Sequence, residues 1–189
     1  MLGLAAAIVS YLVGSFPTAY VIGKHFRDVD LSRHGSGNIG AMNAYDVTGS
    51  KIIGISVGII DVVKGFLMTF LSERYLGLTP CLIAAFFVVL GHNYSLFMRF
   101  KGGRGLASAA GALLVVQPLA VPVYLFVYFI LRAVGLKLYL SSVIGIISAA
   151  AFLLAKYYPA PVPVALSAGL IAVVLSKHLS PLKAEIKNA

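Results

Sequence analysis

The chain has 189 residues, of which 60% are hydrophobic and 11% are charged. Because soluble domains are about one quarter charged, this composition excludes an ordinary soluble protein and indicates an integral membrane protein. The single cysteine, Cys81, excludes an internal disulfide framework and a cysteine-based zinc site. The net charge of +9 does not indicate nucleic-acid binding until the location of the charges is known, and no nucleic-acid partner is predicted.

Apolar runs along the chain predict transmembrane helices. They cover residues 2–23, 52–71, 79–98, 105–133, 138–155 and 162–176, and the run 105–133 is broken at Gln117-Pro118. No linker between them is long enough to separate domains, so we predict one transmembrane domain over residues 1–189. The first run has the length of a full span and no basic segment before it, so no cleavable signal is expected.

The number of spans depends on whether residues 105–133 cross the membrane once or twice. A helix over residues 105–116 would be only about 18 Å long, short for a hydrocarbon core of about 30 Å. Seven spans nevertheless place nearly all lysines and arginines on one face, leaving only Arg74 and Lys156 opposite, whereas six spans divide them almost evenly. The positive-inside tendency therefore predicts an all-α, polytopic protein of about seven spans, with its N-terminus outside.

A glycine-rich loop precedes the fourth run and has the composition of an anion site. Lys101, Gly102, Gly103, Arg104 and Gly105 are followed at once by a helix-forming segment, with the hydroxyl of Ser108 one turn inside it. Glycine permits positive φ angles that turn backbone N–H groups towards one point, and a helix N-terminus adds partial positive charge. These six residues predict a phosphate seat. The alternative is a cytoplasmic turn whose cations only mark topology.

Further polar residues lie on the same predicted cytoplasmic face. The loop from His34 to Asn43 has little charge, so we expect it to fold back into the bundle with Ser36, Asn38 and Asn43. His92 ends the third run, where it could serve as a cap, and Lys177-His178 ends the seventh, where it could serve as an interface anchor.

Asp61 and Lys64 lie inside the second run. They are three residues apart, so they share a helix face and can neutralise one another. Charges inside a membrane mark functional sites by default, and the alternative is a structural pair that braces the loops.

Three motifs occur in a recognisable order over almost the whole chain. The first motif is Gly35-Ser36-Gly37-Asn38-x-Gly40-Ala41-x-Asn43. The second is Gly91-His92-x-Tyr94-x-x-Phe97-x-x-Phe100-Lys101-Gly102-Gly103-Arg104-Gly105-x-Ala107-Ser108, and the third is the short Lys177-His178. Asp61-x-x-Lys64-Gly65 lies between the first and second motifs, and Ser141 follows Tyr139 between the second and third. This order resembles the bacterial membrane acyl-phosphate:glycerol-3-phosphate acyltransferases, the PlsY family. The second motif carries Arg104 for the usual Lys and Ser108 for the usual Thr.

The resemblance implies a multi-pass enzyme of the bacterial inner (plasma) membrane with its active site on the cytoplasmic face. It would transfer a fatty acyl group from acyl phosphate to the 1-hydroxyl of glycerol 3-phosphate, with the acyl chain between helices in the lipid bilayer. It implies catalytic roles for Ser36, Asn38, Asn43 and His178, phosphate binding by residues 101–105 and Ser108, and glycerol 3-phosphate binding by Ser141, Lys177 and His178. Asp61, Lys64 and His92 would support the site. No cofactor and no metal are implied, and an acyl-phosphate-producing enzyme is a candidate partner.

Three residues depart from the family pattern. Met42 stands where the family has Thr, Asp46 where it has Arg, and Pro181 where it has Asn. Asp46 matters most, because it reverses the charge near a dianionic substrate. We expect it to point away from the site, with Lys51 or Arg33 as its partner.

Two other classes stay open on the sequence alone. One is a transporter of an anionic metabolite with Asp61 and Lys64 along its path, although only one broken helix is apparent and paired repeats would be expected. The other is a phosphate- or lipid-binding relative without turnover, which Asp46 and Pro181 favour. The His25-x4-Asp30 spacing also occurs in soluble glycerol-phosphate acyltransferases, but a single such match is common by chance.

Overall fold

A computed structural model describes residues 1–187, and this part of the chain is all-helical, with no strand. Within residues 1–187, five segments are long and apolar enough to cross a membrane: Leu2–Arg27, Lys51–Leu76, Leu78–Met98, Leu138–Tyr157 and Pro161–Lys187. The α-helices of residues 1–187 are α1 (Leu2–Ser15), α2 (Thr18–Arg27), α3 (Ala41–Thr48), α4 (Lys51–Leu76), α5 (Leu78–Asn93), α6 (Leu106–Val116), α7 (Ala120–Ala133), α8 (Leu138–Tyr157) and α9 (Pro161–Lys187). A short 3₁₀ turn, Leu96–Met98, lies between α5 and α6.

The first predicted span is broken in two. Pro17 has no N–H group and cannot continue the hydrogen-bond ladder, so α1 ends at Ser15 and α2 begins at Thr18. The carbonyl of Phe16 at the break accepts a hydrogen bond from Lys64 Nζ on α4, at 3.3 Å. An interruption inside a membrane is tolerated when neighbouring groups satisfy the freed backbone in this way.

Glycines allow two pairs of helices to pack backbone against backbone. A Cβ atom at Gly14 of α1 would lie 2.1 Å from the carbonyl oxygen of Val88 on α5. One at Gly111 of α6 would lie 2.0 Å from the carbonyl oxygen of Val62 on α4. Small residues at contacts of this kind are typical of helix association in membranes. They fix α5 and α6, the helices on either side of the glycine-rich loop.

The loop after α2 folds back into the bundle, as predicted. Leu31, Ile39 and Ala44 are buried in a small core against α2 and α4. The sequence did not predict α3, which begins after the extended Gly40 and ends at Gly49 in a left-handed conformation (φ 66°).

The last helix does not end near residue 176, where the predicted apolar run ends. Helix α9 continues to Lys187 with Pro181 inside it. The reason is visible in the apolar spacing, since Leu175, Leu179, Leu182 and Ile186 recur every three or four residues and line one helix face.

Contacts at both ends of the bundle place the loops. The carbonyl of Val116, at the end of α6, accepts hydrogen bonds from Lys156 and Tyr157 at the end of α8. At the other end, Glu185 of α9 meets the first turn of α8. The glycine-rich loop, the loop from residue 28 to 40 and the end of α9 therefore lie together at one end.

Candidate active site

A buried cluster of four polar side chains is centred on Asp61. Its Oδ1 lies 2.8 Å from Lys64 Nζ, accepts a hydrogen bond from Thr18 Oγ1 at 3.0 Å, and lies 3.6 Å from His92 Nδ1. All four residues are buried. The predicted Asp61–Lys64 contact is confirmed, and the pair braces the break between α1 and α2 against α5. A buried ion pair needs such further hydrogen bonds to offset its desolvation.

His92 lies directly beneath the glycine-rich loop. Its carbonyl accepts a hydrogen bond from the N–H of Gly103 at 3.0 Å. A Cβ atom at Gly103 would lie 2.0 Å from His92 Nε2, and one at Gly102 would lie 2.1 Å from the His92 carbonyl oxygen. Glycine permits positive φ angles, and of the glycines in this loop only Gly105 has one (φ 82°). Gly102 and Gly103 are required for space, because the loop rests on α5 without room for a side chain.

Asn93 supports the start of α6, and the sequence analysis missed it. It is fully buried, its Nδ2 donates to the carbonyl of Val173 on α9 at 3.0 Å, and its Oδ1 has no partner among the described residues. A Cβ atom at Gly105 would lie 2.3 Å from that Oδ1. The only signal in the sequence was an amide at the end of an apolar run, next to His92.

Two residues before the glycine-rich loop have left-handed backbone conformations that only glycine adopts easily. Arg99 has φ 53° and Phe100 has φ 61°. The turn is held by a hydrogen bond from Phe100 N–H to the Ser95 carbonyl at 2.7 Å, and Ser95 Oγ donates to the Ser15 carbonyl at 2.5 Å. Such strain, about 1–2 kcal/mol per residue, persists where the surroundings enforce it, and it concentrates at functional sites.

Aromatic rings position two cations around the loop. Arg104 Cζ lies 4.7 Å from the centre of the Tyr139 ring, and Lys177 Nζ lies 4.1 Å from the centre of the Tyr94 ring. The negative ring face attracts the cation and so helps to hold it in place. Lys101 is exposed at the mouth of the site. The structure thus brings the cations of the second and third motifs to the same end of the bundle.

The first turn of α8 receives a carboxylate from α9. Glu185 Oε1 accepts from Tyr139 N–H and Glu185 Oε2 from Leu140 N–H, each at 3.0 Å. A carboxylate at a helix N-terminus is favourable because it satisfies free donors and meets the positive end of the dipole. The buried Ser141 hydroxyl donates to the Lys137 carbonyl at 2.8 Å in the same turn. Sequence reasoning did not find Glu185, whose partners are more than forty residues away.

His178 is buried and has one ring nitrogen fixed. Its Nδ1 lies 2.8 Å from the Val174 carbonyl oxygen, which can only accept, so Nδ1 carries the proton. Nε2 is then the nitrogen that can accept a hydrogen bond from a substrate hydroxyl.

Asn43 acts as the scaffold of the first motif. Its Oδ1 accepts from the N–H and the hydroxyl of Ser36, at 2.8 and 3.1 Å. Its Nδ2 donates to the carbonyls of Leu31 and His34, at 3.0 and 3.2 Å. Because all these bonds are internal, Asn43 shapes the loop, while the exposed Ser36 and the half-buried Asn38 are the side chains that a ligand can reach.

The first and second motifs meet at one point. Ile39 lines a small cavity of about 10 Å³ together with His92, Gly102 and Gly103. Ser108, in contrast, does not line this cavity. It is fully buried against α4, where its carbonyl oxygen would lie 2.1 Å from a Cβ atom at Gly65, and its hydroxyl has no partner in residues 1–187.

The prediction that Asp46 pairs with Lys51 or Arg33 was wrong. Asp46 is exposed on α3 and forms no ion pair with any residue from 1 to 187. Arg33 instead pairs with Asp30, with 3.2 Å between Arg33 Nε and Asp30 Oδ2. The Asp30 carboxylate also accepts from Ser32 Oγ at 2.6 Å, and none of its described contacts is with His25.

An apolar cavity of about 300 Å³ begins beside the glycine-rich loop and lies between α6, α7, α8 and α9. Leu106 and Ala107, which directly follow Gly105, line its near end, and so does Val174, whose carbonyl binds His178. This volume lies within the range of about 300–1,000 Å³ that is usual for small-molecule sites. Charged and apolar binding surfaces are therefore adjacent.

Comparison with known proteins identifies the family. The family described as "Glycerol-3-phosphate acyltransferase" matches residues 4–188. The chain is 39% identical to glycerol-3-phosphate acyltransferase 2 of Moorella thermoacetica, over 94% of this chain and 90% of that protein, and 35% identical to the Bacillus anthracis protein of the same description, over 96% and 94%. This chain belongs to the glycerol-3-phosphate acyltransferase family.

A solved relative has the same fold. The glycerol 3-phosphate form of PlsY, an integral membrane glycerol 3-phosphate acyltransferase, superposes with a TM-score of 0.88 at 30% identity, over 98% of this chain and 92% of that one. The lysophosphatidic acid form of that protein gives a TM-score of 0.86 at 29% identity. The prediction of an all-α, polytopic membrane protein is confirmed. Seven spans and an external N-terminus stay predictions, as do the roles of individual site residues.

Proposed function

We propose that this acyltransferase moves a fatty acyl group from acyl phosphate to the 1-hydroxyl of glycerol 3-phosphate, giving lysophosphatidic acid and inorganic phosphate. The observation that carries the proposal is the adjacency of two surfaces. A loop with Lys101 and Arg104 suits a phosphate, and the apolar cavity that starts at Leu106 suits an alkyl chain. Acyl phosphate contains both groups, joined at the carbonyl carbon where the reaction takes place.

Binding of the donor in this way would place its carbonyl beside the N-terminus of α6. Arg104, held over Tyr139, and the N–H groups at the start of α6 would stabilise the charge that develops on the leaving phosphate. Because a mixed anhydride is already activated, orientation of the attacking hydroxyl can supply much of the remaining rate.

The acceptor would bind between the third motif and the first turn of α8. Lys177 is a compact charge for the acceptor phosphate, while Ser141 and Nε2 of His178 would bind its hydroxyls. Ser36 and Asn38 would orient the reacting hydroxyl and carbonyl, on the scaffold that Asn43 provides. The hydroxyl oxygen attacks the acyl carbon, the bond from that carbon to the phosphate oxygen breaks, and the proton passes to the departing phosphate.

The cellular placement is also a proposal. The loop after α2, the glycine-rich loop and the end of α9 share one end of the bundle, where most cations lie, which supports a cytoplasmic active site in a bacterial plasma membrane. An enzyme that makes acyl phosphate nearby is a candidate partner, because its product is reactive and has an apolar tail.

The experiment compares cations of one loop in detergent-purified protein. Lys101→Ala and Arg104→Ala should each lower kcat/KM for palmitoyl phosphate about 10- to 150-fold, the equivalent of a charge-assisted contact of about 1.5–3 kcal/mol. Arg99→Ala, at an exposed position just before the loop, is the matched control and should change it little. Equal kinetics in all three variants, with the fold intact, would show that the loop is only a turn.

A further inference from the structure

Buried side chains line the far end of the apolar cavity. Helix α6 has 11 residues and is therefore about 16 Å long, close to half of a hydrocarbon core of about 30 Å, which is the depth of one lipid leaflet. Leu113, Ala120 and Leu153 line the far end, and Ala120 and Leu153 are almost completely buried. Leu153 precedes Tyr157 by one helical turn, so it lies just inside the contacts that end α6.

Those contacts lie about one turn beyond the lining residues Leu113 and Leu153, and they join polar groups at the ends of α6 and α8. The carbonyl of Val116 accepts a hydrogen bond from Lys156 Nζ at 2.5 Å and another from Tyr157 Oη at 3.2 Å. Gln117 Nε2 donates to the Phe152 carbonyl at 3.4 Å across the same helix ends. An alkyl chain that reached further would have to displace or desolvate the Lys156 ammonium, which is costly beside hydrocarbon.

The sides of the cavity are lined by small residues. Ala109 and Ala110 of α6 face Ala149 and Ala150 of α8 across the space. A larger side chain at one of these positions would occupy the volume that the alkyl chain needs. The small side chains of α6 and α8 therefore leave the width that an alkyl chain needs.

We propose that the far end of this cavity limits acyl-chain length, with Leu153 and the Lys156–Val116 contact as the residues that set the upper limit. This inference rests on the proposed acyl transfer. It assigns chain selectivity to the end of the cavity opposite the reacting groups, so the residues that set it should not affect use of glycerol 3-phosphate.

The test is the profile of kcat/KM over a series of saturated acyl phosphates from 8 to 20 carbons. Each methylene that the cavity gains or loses should change relative kcat/KM about fourfold at the upper limit. Leu153→Ala and Lys156→Met should move the profile to longer chains, and Ala150→Leu to shorter ones. KM for glycerol 3-phosphate should stay the same in all three.

Two control variants make the same kinds of substitution outside the cavity. Ala5→Leu adds the same volume as Ala150→Leu in a separate apolar groove between α1 and α4. Arg74→Met removes the exposed cation of the last turn of α4, at the same end of the bundle as Lys156. Both should keep the original profile. A profile that moves equally in the controls, or that stays fixed in Lys156→Met and Ala150→Leu, overturns the proposal.

Binding of non-reactive alkyl phosphates separates this inference from the proposed reaction. The same series, measured by the rise in Tm of the purified protein, should show the same upper limit and the same shifts. If the protein shows no turnover but binds alkyl phosphates with a length limit that the variants move, the acyl transfer is refuted and the chain-length limit set by the cavity stands. Equal binding of all lengths, or no binding of any, would refute that limit.

Discussion

Substitution of Gly103 by alanine tests why the second motif needs glycine. The φ angle of Gly103 is not in the left-handed region, so alanine is compatible with its backbone, but the added Cβ would lie 2.0 Å from His92 Nε2. The histidine cannot yield easily, because it is buried and its Nδ1 lies 3.6 Å from Asp61. Overpacking of this kind costs about 1–3 kcal/mol, which corresponds to a fall in Tm of about 2–12 °C for a chain of this size.

Gly58→Ala is the matched control for that substitution. Its added Cβ would meet only Ala41 Cβ, at 3.5 Å, an ordinary contact, and inside α4 alanine is the better helix former by up to about 1 kcal/mol. In Gly103→Ala, Tm in detergent should fall and KM for palmitoyl phosphate should rise. In Gly58→Ala, both should stay the same. In His92→Ala with Gly103→Ala the loss should be less than additive by about 0.5–3 kcal/mol. Identical Tm and KM in the two single alanine variants would refute the packing explanation.

Four further predictions follow from the contacts. Asp61→Ala should lower the free energy of unfolding by about 3–5 kcal/mol because it leaves Lys64 buried without its partner, and Asp61→Asn with Lys64→Met should recover most of that loss in chemical denaturation. Glu185→Gln should cost about 1–3 kcal/mol in the same assay and raise KM for glycerol 3-phosphate, whereas the exposed Glu73→Gln should do neither. Asp46→Arg should lower KM for glycerol 3-phosphate in steady-state kinetics with little effect on the donor, and an unchanged KM would place residue 46 outside the site. Single cysteines at Ser32, Lys101 and Lys187 in a Cys81→Ala background should resist an impermeant thiol reagent in intact cells, and labelling at Lys187 would contradict the cytoplasmic assignment.

Local spacing was enough to locate the long apolar segments and to predict one of the buried contacts. Apolar runs of spanning length located the long helices, and the three-residue separation of Asp61 and Lys64 predicted their contact, now seen at 2.8 Å. Periodicity also extended to Ile186, but the predicted run ended at Ser176, eleven residues before the helix ends.

Contacts between distant segments could not be predicted in this way. Thr18 and His92 reach Asp61 from positions 43 and 31 residues away in the chain, and only the packing of α1, α4 and α5 brings them together. The glycines of the second motif were located correctly, but the reason that glycine is needed there could not be predicted. The space beneath Gly103 depends on where His92 lies. Asn93 and Glu185 were missed since each bonds to backbone groups of another helix, which have no sequence signature.

The most direct test of the account is a turnover assay on detergent-purified protein with palmitoyl phosphate and glycerol 3-phosphate. We predict lysophosphatidic acid and inorganic phosphate in equal amounts, and no product when palmitoyl-coenzyme A replaces the acyl phosphate. The proposed reaction would be contradicted if two folded proteins both form no product. One has the natural sequence, and the other carries Asp46→Arg and Pro181→Asn together. Activity only in the doubly substituted protein would identify a relative that has lost turnover.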